Sequence, residues 1–262
     1  MDRQTLVRQF CTPPPQEEIP FDRKAFAHAQ VQEIVFEDRV LRAYSLGTGR
    51  DVLLVHGWGS RASHMALLAR FLESKGFHVL VFDAPAHGDS KKSDRTDVSS
   101  MFEFGRAIAC VAETLNDLFA VIGHSLGALA AGFVAAGTGQ FSQYQISTKN
   151  LVLISAPENL STVLKNYCKN RNEMTTLDDL TKGLEDAFNF KVDDYHLSSA
   201  VSQINDPILI AHDKLDEEIP VSDAHSLKES NVNADLKLTN GLGHNKILAS
   251  RGMFQSIFDF LS

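Results

Sequence analysis

Cysteine, tryptophan and positive charge are scarce in this chain of 262 residues, and two of these scarcities exclude classes of protein. The three cysteines, Cys11, Cys110 and Cys168, are too scattered and too few to form a disulfide framework. Lys and Arg number 25 against 33 Asp and Glu, which gives a formal net charge of -8 without any basic run. We therefore expect no nucleic-acid partner and no surface for anionic membranes.

Long apolar runs and known cofactor motifs are missing as well. No stretch approaches the length of a membrane span, and the first ten residues, MDRQTLVRQF, lack the apolar core of a signal peptide. The default expectation is a cytoplasmic protein. No paired cysteines, His-x-x-x-His, phosphate-binding Gly-Lys loop or complete dinucleotide fingerprint occurs, so we expect no metal and no cofactor.

Strand and helix patterns alternate along most of the chain, which is long enough for one large domain with a full core. The pattern predicts a β-hairpin over 31–46, strands over 52–56, 78–82, 119–123, 150–154, 208–212 and 234–238, and helices over 62–75, 98–117 and 126–136. Such alternation predicts an α/β protein whose parallel sheet carries helices on both faces.

Residues 118–127, LFAVIGHSLG, are the most informative segment. They lead an apolar strand into Gly-x-Ser-x-Gly and then into a helix of small residues. Gly123 and Gly127 lack a Cβ and permit a sharp turn that exposes the Ser125 hydroxyl above the sheet, where it could act as a nucleophile. The first N–H of the helix, that of Leu126, would point at a developing oxyanion. The alternative is a tight turn with an idle serine.

Two partners for Ser125 follow later in the chain. His244 lies in a loop, TNGLGHNKIL, after the last predicted strand, and suits the role of base. A carboxylate to orient it can come from the acidic turn 213–220, DKLDEEIP, at the carboxyl end of the preceding strand. Asp206 lies at the wrong end of that strand.

Four motifs in this order resemble those of the α/β-hydrolases, over about residues 31–261. They are LLVHGWG at 53–59, FDAPAHGDS at 82–90, GHSLG at 123–127, and the pair HDKLDEEIP at 212–220 with GLGHN at 241–245. The resemblance implies a mostly parallel eight-stranded sheet with helices on both faces. It implies a catalytic triad of Ser125, Asp216 and His244, and an oxyanion hole formed by the backbone N–H groups of Trp58 and Leu126.

Two positions depart from the family pattern, which usually has glycine where Asp213 and Ala86 stand. Asp213 is an alternative acid, but we favour Asp216 because Asp213 lies too close to the strand end to reach over. The family alternative of an acid after the preceding strand would fall near Glu158, and we disfavour it.

Residues 158–203 interrupt the alternation with a polar, helix-capable segment that carries apolar and aromatic side chains. By the resemblance they form a small helical lid over Ser125, with Phe188 and Phe190 in the substrate pocket; extra surface helices are the alternative. The expected organisation is an N-terminal arm at 1–30, a hydrolase core at 31–157 and 204–262, and the inserted lid at 158–203. The Trp58 indole lines the pocket or belongs to the core.

The resulting hypothesis is a serine hydrolase that cleaves a small to medium carboxylic ester or thioester through an acyl-enzyme on Ser125. Its partner would be a small ester-like molecule. Two alternatives stay open: a ligand receptor or signalling protein with slow turnover on the same scaffold, and a carbon–carbon hydrolase or haloperoxidase that uses the same triad.

Overall fold

The computed structural model describes residues 2–15, 20–90 and 97–262, and eight strands in them form one sheet. The strands are β1 (Gln30–Phe36), β2 (Arg39–Leu46), β3 (Asp51–Val55), β4 (His78–Phe82), β5 (Leu118–His124), β6 (Leu151–Ile154), β7 (Ile208–Asp213) and β8 (Ala234–Thr239). Their spatial order is β1-β2-β4-β3-β5-β6-β7-β8. β2 pairs antiparallel with both β1 and β4, and the other pairings are parallel. The predicted mostly parallel eight-stranded sheet is therefore confirmed.

Helices cover both faces of this sheet, as expected. In the described residues they are α1 (Arg3–Cys11), α2 (Pro20–Ala25), α3 (Ala66–Ser74), α4 (Met101–Ala112), α5 (Leu126–Ala136), α6 (Leu160–Asn170), α7 (Leu177–Phe188), α8 (Leu197–Val201), α9 (Val221–Ser230), α10 (Gly243–Lys246) and α11 (Arg251–Leu261). One core layer holds Phe104 of α4 and Leu129 of α5, and the other holds Leu68 of α3 and Ile257 of α11. No helix of the described residues is long and apolar enough to span a membrane.

Helix α4 is shorter at both ends than the predicted span of 98–117. Ser100 has an extended backbone and its hydroxyl accepts a hydrogen bond from the Glu103 N–H, so the helix begins after this cap. Beyond Ala112, the Asp51 carboxylate accepts the backbone N–H groups of Asn116 and Asp117 at 3.2 and 3.4 Å. The chain after the helix is thus held to the start of β3 by a tertiary contact, which local periodicity cannot reveal.

The N-terminal segment, expected as an arm, holds helices α1 and α2. The Asp2 carboxylate caps α1 by accepting the Thr5 N–H at 2.9 Å, and Leu6 of α1 is buried in the main core. The Arg3 guanidinium pairs with Asp179 of α7 at 3.0 Å. Helix α1 is therefore packed against the segment 158–203.

The turn between β5 and α5 brings backbones into close contact. A Cβ on Gly127 would lie 2.3 Å from the His56 carbonyl oxygen, and one on Gly123 would lie 2.5 Å from the Ala128 Cα. Backbone atoms cannot retreat from such contacts as the end of a flexible side chain can. Glycine at both positions lets α5 start directly against the end of β3.

We predict that Gly127→Ala lowers the free energy of unfolding by about 2–3 kcal/mol, as overpacking against rigid backbone does. The matched control is Gly252→Ala in α11, where a Cβ would have its nearest neighbour, the Ser250 hydroxyl, at 3.8 Å. Alanine there gains roughly 0.5–1 kcal/mol of helix propensity. Urea unfolding measures both, and equal midpoints for the two variants would contradict the packing analysis.

Candidate active site

Ser125 occupies a strained backbone position at the carboxyl end of β5. Its φ of 53° and ψ of -122° are rare for a residue with a side chain. The Ser125 N–H donates to the Ile154 carbonyl at 2.9 Å, and the Ser125 carbonyl accepts the N–H groups of Ala128 and Leu129 at 3.0 Å. Strand β6 on one side and helix α5 on the other therefore hold the turn, and the Ser125 side chain faces a cavity.

A buried acid–base pair lies at the same edge of the sheet. His244 Nδ1 lies 2.8 Å from Asp216 Oδ2, and the other Asp216 oxygen accepts the N–H groups of Glu218 and Ile219 at 2.9 Å each. Burial alone would raise the pKa of Asp216, but the hydrogen bond and charge of His244 and these two N–H groups hold it below its ordinary value. An ionised Asp216 thus fixes the imidazole with Nε2 free for a proton.

The structure brings Ser125 and His244 into the same cavity. No hydrogen bond joins their side chains in the part of the chain that the structure describes, and such contacts commonly tighten only when substrate binds. His124, the neighbour of Ser125, donates from Nε2 to the His244 carbonyl at 2.9 Å. Burial, and next the nearby His244, lower the pKa of His124 to about 3, so it stays neutral and acts as a backbone support.

Asp213 has a different place from Asp216. Its fully buried carboxylate accepts the Thr239 hydroxyl at 2.6 Å and the backbone N–H groups of Gly241 and Leu242 at 3.2 and 3.0 Å. Burial raises its pKa, but these donors outweigh burial and hold the pKa well below the ordinary value. Asp213 therefore joins the end of β7 to the loop before α10, the short helix in which the structure places His244, while Asp216 is the carboxylate that contacts the imidazole.

Trp58 and Leu126 flank the serine on its other side. A Cβ on Gly57 would lie 3.0 Å from the Ser125 Cβ, so the loop after β3 passes directly over the nucleophile candidate. Within the described residues, no acceptor takes the N–H of Trp58 or of Leu126, which leaves two donors for an oxygen. The Trp58 indole lines the cavity and packs edge-on against His87 at 5.0 Å.

Two histidines bind this loop to the loop after β4 reciprocally. His56 donates from Nδ1 to the Gly57 carbonyl at 2.7 Å and accepts the Ala84 N–H at Nε2 at 2.9 Å. His87, in the opposite loop, accepts the Gly59 N–H at Nε2 at 3.0 Å and donates from Nδ1 to a carbonyl of its own loop. Each ring is therefore a neutral imidazole with its tautomer fixed, consistent with burial lowering the pKa of His56 well below its ordinary value.

The conformation of the loop after β4 shows why the family usually has glycine where Ala86 stands. Ala86 has a φ of 63°, in the left-handed region where glycine carries no steric penalty. The buried Asp83 carboxylate fixes the same loop by accepting the N–H groups of Ala62 and Asp89 at 2.7 and 2.8 Å. Burial raises the pKa of Asp83 to about 6 despite these donors. A family glycine at position 86 thus reflects backbone geometry.

The cavity above Ser125 has a volume of about 680 Å³, within the usual range for small-molecule sites. Phe188 and Phe190, which the sequence places in the pocket, both line it, together with Leu160 and Tyr167 of the same inserted segment. The ring of Phe102 packs on both phenylalanines, at 5.7 and 5.0 Å. The wall facing the serine is largely aromatic and aliphatic.

Residues 52–196, more than half of the chain, match the family model described as the alpha/beta hydrolase family. The chain belongs to the alpha/beta hydrolase family. No curated protein matches the chain significantly.

Solved structures with this fold include several hydrolases. The Pyrococcus furiosus esterase Pf2001 is 21% identical, with 95% of this chain and 96% of that chain covered and a TM-score of 0.70. A membrane phospholipase A, a bacterial virulence factor, is 16% identical, with 99% and 91% covered and a TM-score of 0.70. The thioesterase domain from the curacin biosynthetic pathway is 17% identical, with 89% and 99% covered and a TM-score of 0.65. At these identities the likeness shows a shared fold.

Part of the cavity of this alpha/beta hydrolase escapes sequence reasoning. Phe10 and Cys11 of α1 and Met101 and Phe102 of α4 line it, although none lies in a motif. An amphipathic pattern marks such residues as buried without telling which space they face. No group of three or more His, Cys, Asp or Glu side chains in the described ranges could hold a metal ion.

A polar rim borders the cavity beside His244. The Glu218 carboxylate lies 3.7 Å from His244 Nε2 and 3.4 Å from the Asn245 amide nitrogen. The Asn166 side chain of α6 donates to the Glu218 carbonyl at 2.5 Å, and Lys169 of the same helix also lines the cavity. The Nε2 edge of the imidazole therefore faces polar groups.

The histidine contacts between the loops after β3 and β4 predict a pH dependence of stability. Burial lowers the pKa of His87 from the ordinary 6.5 to about 4. The unfolded chain therefore takes up the proton first, so the stability that His87 contributes is complete above pH 6.5 and declines as the pH falls toward 4. The full loss is about 3 kcal/mol. Urea unfolding measures the free energy of unfolding of the wild type and of His87→Gln, which does not titrate at this position. The two free energies should converge by that amount as the pH falls from 6.5 to 4. A difference that is independent of pH would refute the buried neutral tautomer.

Proposed function

We propose that this alpha/beta hydrolase is a serine hydrolase that cleaves a small to medium carboxylic ester or thioester through an acyl-enzyme on Ser125. The observation that carries the proposal is the strained position of Ser125, which presents its side chain to the cavity that also holds His244. The hydrogen bond between His244 and Asp216, 2.8 Å long, supports a base with a fixed orientation.

The acylation step follows from the positions of these groups. The Ser125 hydroxyl attacks the acyl carbonyl and gives its proton to His244 Nε2, while the buried Asp216 carboxylate stabilises the imidazolium that results. The carbonyl oxygen becomes an oxyanion that the N–H groups of Trp58 and Leu126 bind. Collapse of the tetrahedral intermediate breaks the bond to the leaving group, which takes the proton from His244.

Hydrolysis of the acyl-enzyme repeats these roles with water. His244 removes a proton from a water molecule, the hydroxide attacks the acyl carbon, and the oxyanion forms again at the same two N–H groups. Collapse then releases the carboxylic acid and returns the proton to Ser125. This chain itself supplies the nucleophile, the base and the two oxyanion donors for both steps.

We predict that Ser125→Ala abolishes turnover of aryl esters and covalent labelling by a fluorophosphonate, with almost no change in the melting temperature. A hydroxyl at a cavity surface contributes little to packing, so the folded state should be retained. Mass spectrometry of the labelled wild type should place the adduct on Ser125.

The matched control is Ser202→Ala, at an exposed serine whose hydroxyl bonds only to the Ser199 carbonyl among the described residues. This variant should keep full labelling and turnover. Labelling of Ser125→Ala at another serine would refute the nucleophile assignment, and fast labelling with negligible turnover of any ester would favour a ligand receptor.

Substitution of Asp216 should mainly affect kcat, whereas substitution of Asp213 should mainly affect stability. We predict that Asp216→Asn lowers kcat by about 10⁴-fold, because the amide cannot stabilise the imidazolium or hold the required tautomer. Asp213→Asn should change kcat far less and cost about 2–3 kcal/mol of stability, because its amide nitrogen would face donors that now bind a carboxylate oxygen. Kinetics and urea unfolding of both variants test this, and the opposite ranking in kcat would move the acid to Asp213.

A further inference from the structure

Helix α1 reaches the candidate active site from outside the hydrolase core. Its last two residues, Phe10 and Cys11, line the cavity above Ser125. Cys11 is almost fully buried, and burial raises the pKa of its thiol to about 12, so it presents a neutral apolar surface. Phe10 is half-buried and its ring meets the ring of Tyr167 of α6 edge-on, with the centroids 5.0 Å apart.

Several independent contacts hold α1 in this place. The Cys11 carbonyl accepts the Ser99 N–H at 2.7 Å, just before α4 begins. On the opposite side, a Cβ on Gly183 of α7 would lie 2.8 Å from the Val7 side chain, so these two helices pack closely. The chain beyond α1 then contacts the loop after β3, because a Cβ on Gly59 would lie 2.7 Å from the Pro14 ring.

The polar rim decides which part of a substrate would lie against α1. A leaving group must take its proton from His244 Nε2, and that atom lies 3.7 Å from the Glu218 carboxylate, at the polar side of the cavity. The acyl part extends from the same carbonyl carbon in another direction. The apolar wall formed by Phe10, Phe188 and Phe190 is then the surface available to it.

We propose that α1 is the third helix of the roof, beside α6 and α7, and that Phe10 and Cys11 form one wall of a binding site for a linear apolar acyl chain. This inference rests on the proposed serine hydrolase function and adds the acyl class and the residues that select it. Substrates with an apolar chain gain contact with this wall, whereas an acetyl group has no chain to place against it.

Phe10→Gln tests the proposal, with Phe10→Leu as the conservative variant. Glutamine is similar in size but brings an amide that a passing alkyl chain would desolvate. We expect the ratio of kcat/KM for a p-nitrophenyl octanoate to that for the acetate to fall about tenfold in Phe10→Gln, the discrimination typical of one methylene-scale contact. Phe10→Leu should keep the wild-type ratio.

Leu6→Ala is the control for loss of packing without a change in the wall. Leu6 lies in the same helix, is buried in the main core and does not line the cavity. This variant should lower the melting temperature and leave the octanoate-to-acetate ratio unchanged. If the ratio in Phe10→Gln stays within about twofold of the wild type, α1 is only a structural helix and the proposal is wrong.

A binding measurement separates this proposal from the hydrolase function. Trp58 is the single tryptophan of the chain and lines the cavity, so its fluorescence reports occupancy. In a Ser125→Ala background, decanoate should change this fluorescence saturably, and the added Phe10→Gln change should raise the Kd about tenfold. If decanoate binding weakens in this way while the wild type turns over no ester, the hydrolase function is refuted and the chain site is supported; binding that does not change would refute the site.

Discussion

The buried Asp213 carboxylate is the interaction on which the geometry of the acid–base pair depends. It lies at the end of β7 and accepts hydrogen bonds from the Thr239 hydroxyl and from two N–H groups of the loop after β8. A buried anion without such donors would cost several kcal/mol, so the two loops must stay together for the fold to persist. Asp216 belongs to one of these loops, and the other leads directly into α10, which carries His244. Their contact of 2.8 Å is thus held by a charge that does not take part in it.

The loops after β3 and β4, on the side of the site that holds Trp58, are also joined by buried side chains, which here are neutral. His56 and His87 each accept a backbone N–H from the opposite loop, and both rings must remain unprotonated to do so. Burial supplies that condition because it disfavours the charged imidazole. Gly127 adds the close approach of α5 to β3. The two loops are therefore joined by side chains that do not line the cavity, and this fixes the backbone that carries the N–H group of Trp58.

The sequence predicts most of the strands and helices and the turn that carries Ser125, but little of the cavity wall. Helix α5 and strand β4 match their predicted bounds because their periodicity is local, and the Ser125 turn follows from glycines at fixed spacing. The predicted span of α4 runs too far because Asp51, far away in the chain, binds the N–H groups of Asn116 and Asp117 after the helix. The position of Phe10 is missed for the same reason: a wall made by α1, α4, α6 and α7 exists only after the helices have packed.

The two parts of the site differ in what holds them. Residues around Ser125 are tied to strands by backbone hydrogen bonds and buried charges, whereas the roof relies on aromatic packing and on partly exposed pairs such as Arg3 with Asp179. Exposed ion pairs contribute little, and aromatic contacts tolerate exchange between apolar side chains. Substitutions of aromatic residues that line the cavity from the roof, such as Phe10, can therefore reshape the cavity at a smaller cost in stability than substitutions beneath Ser125. Under the function we propose, this difference assigns substrate selection to α1, α6 and α7 and the chemistry to the sheet edge.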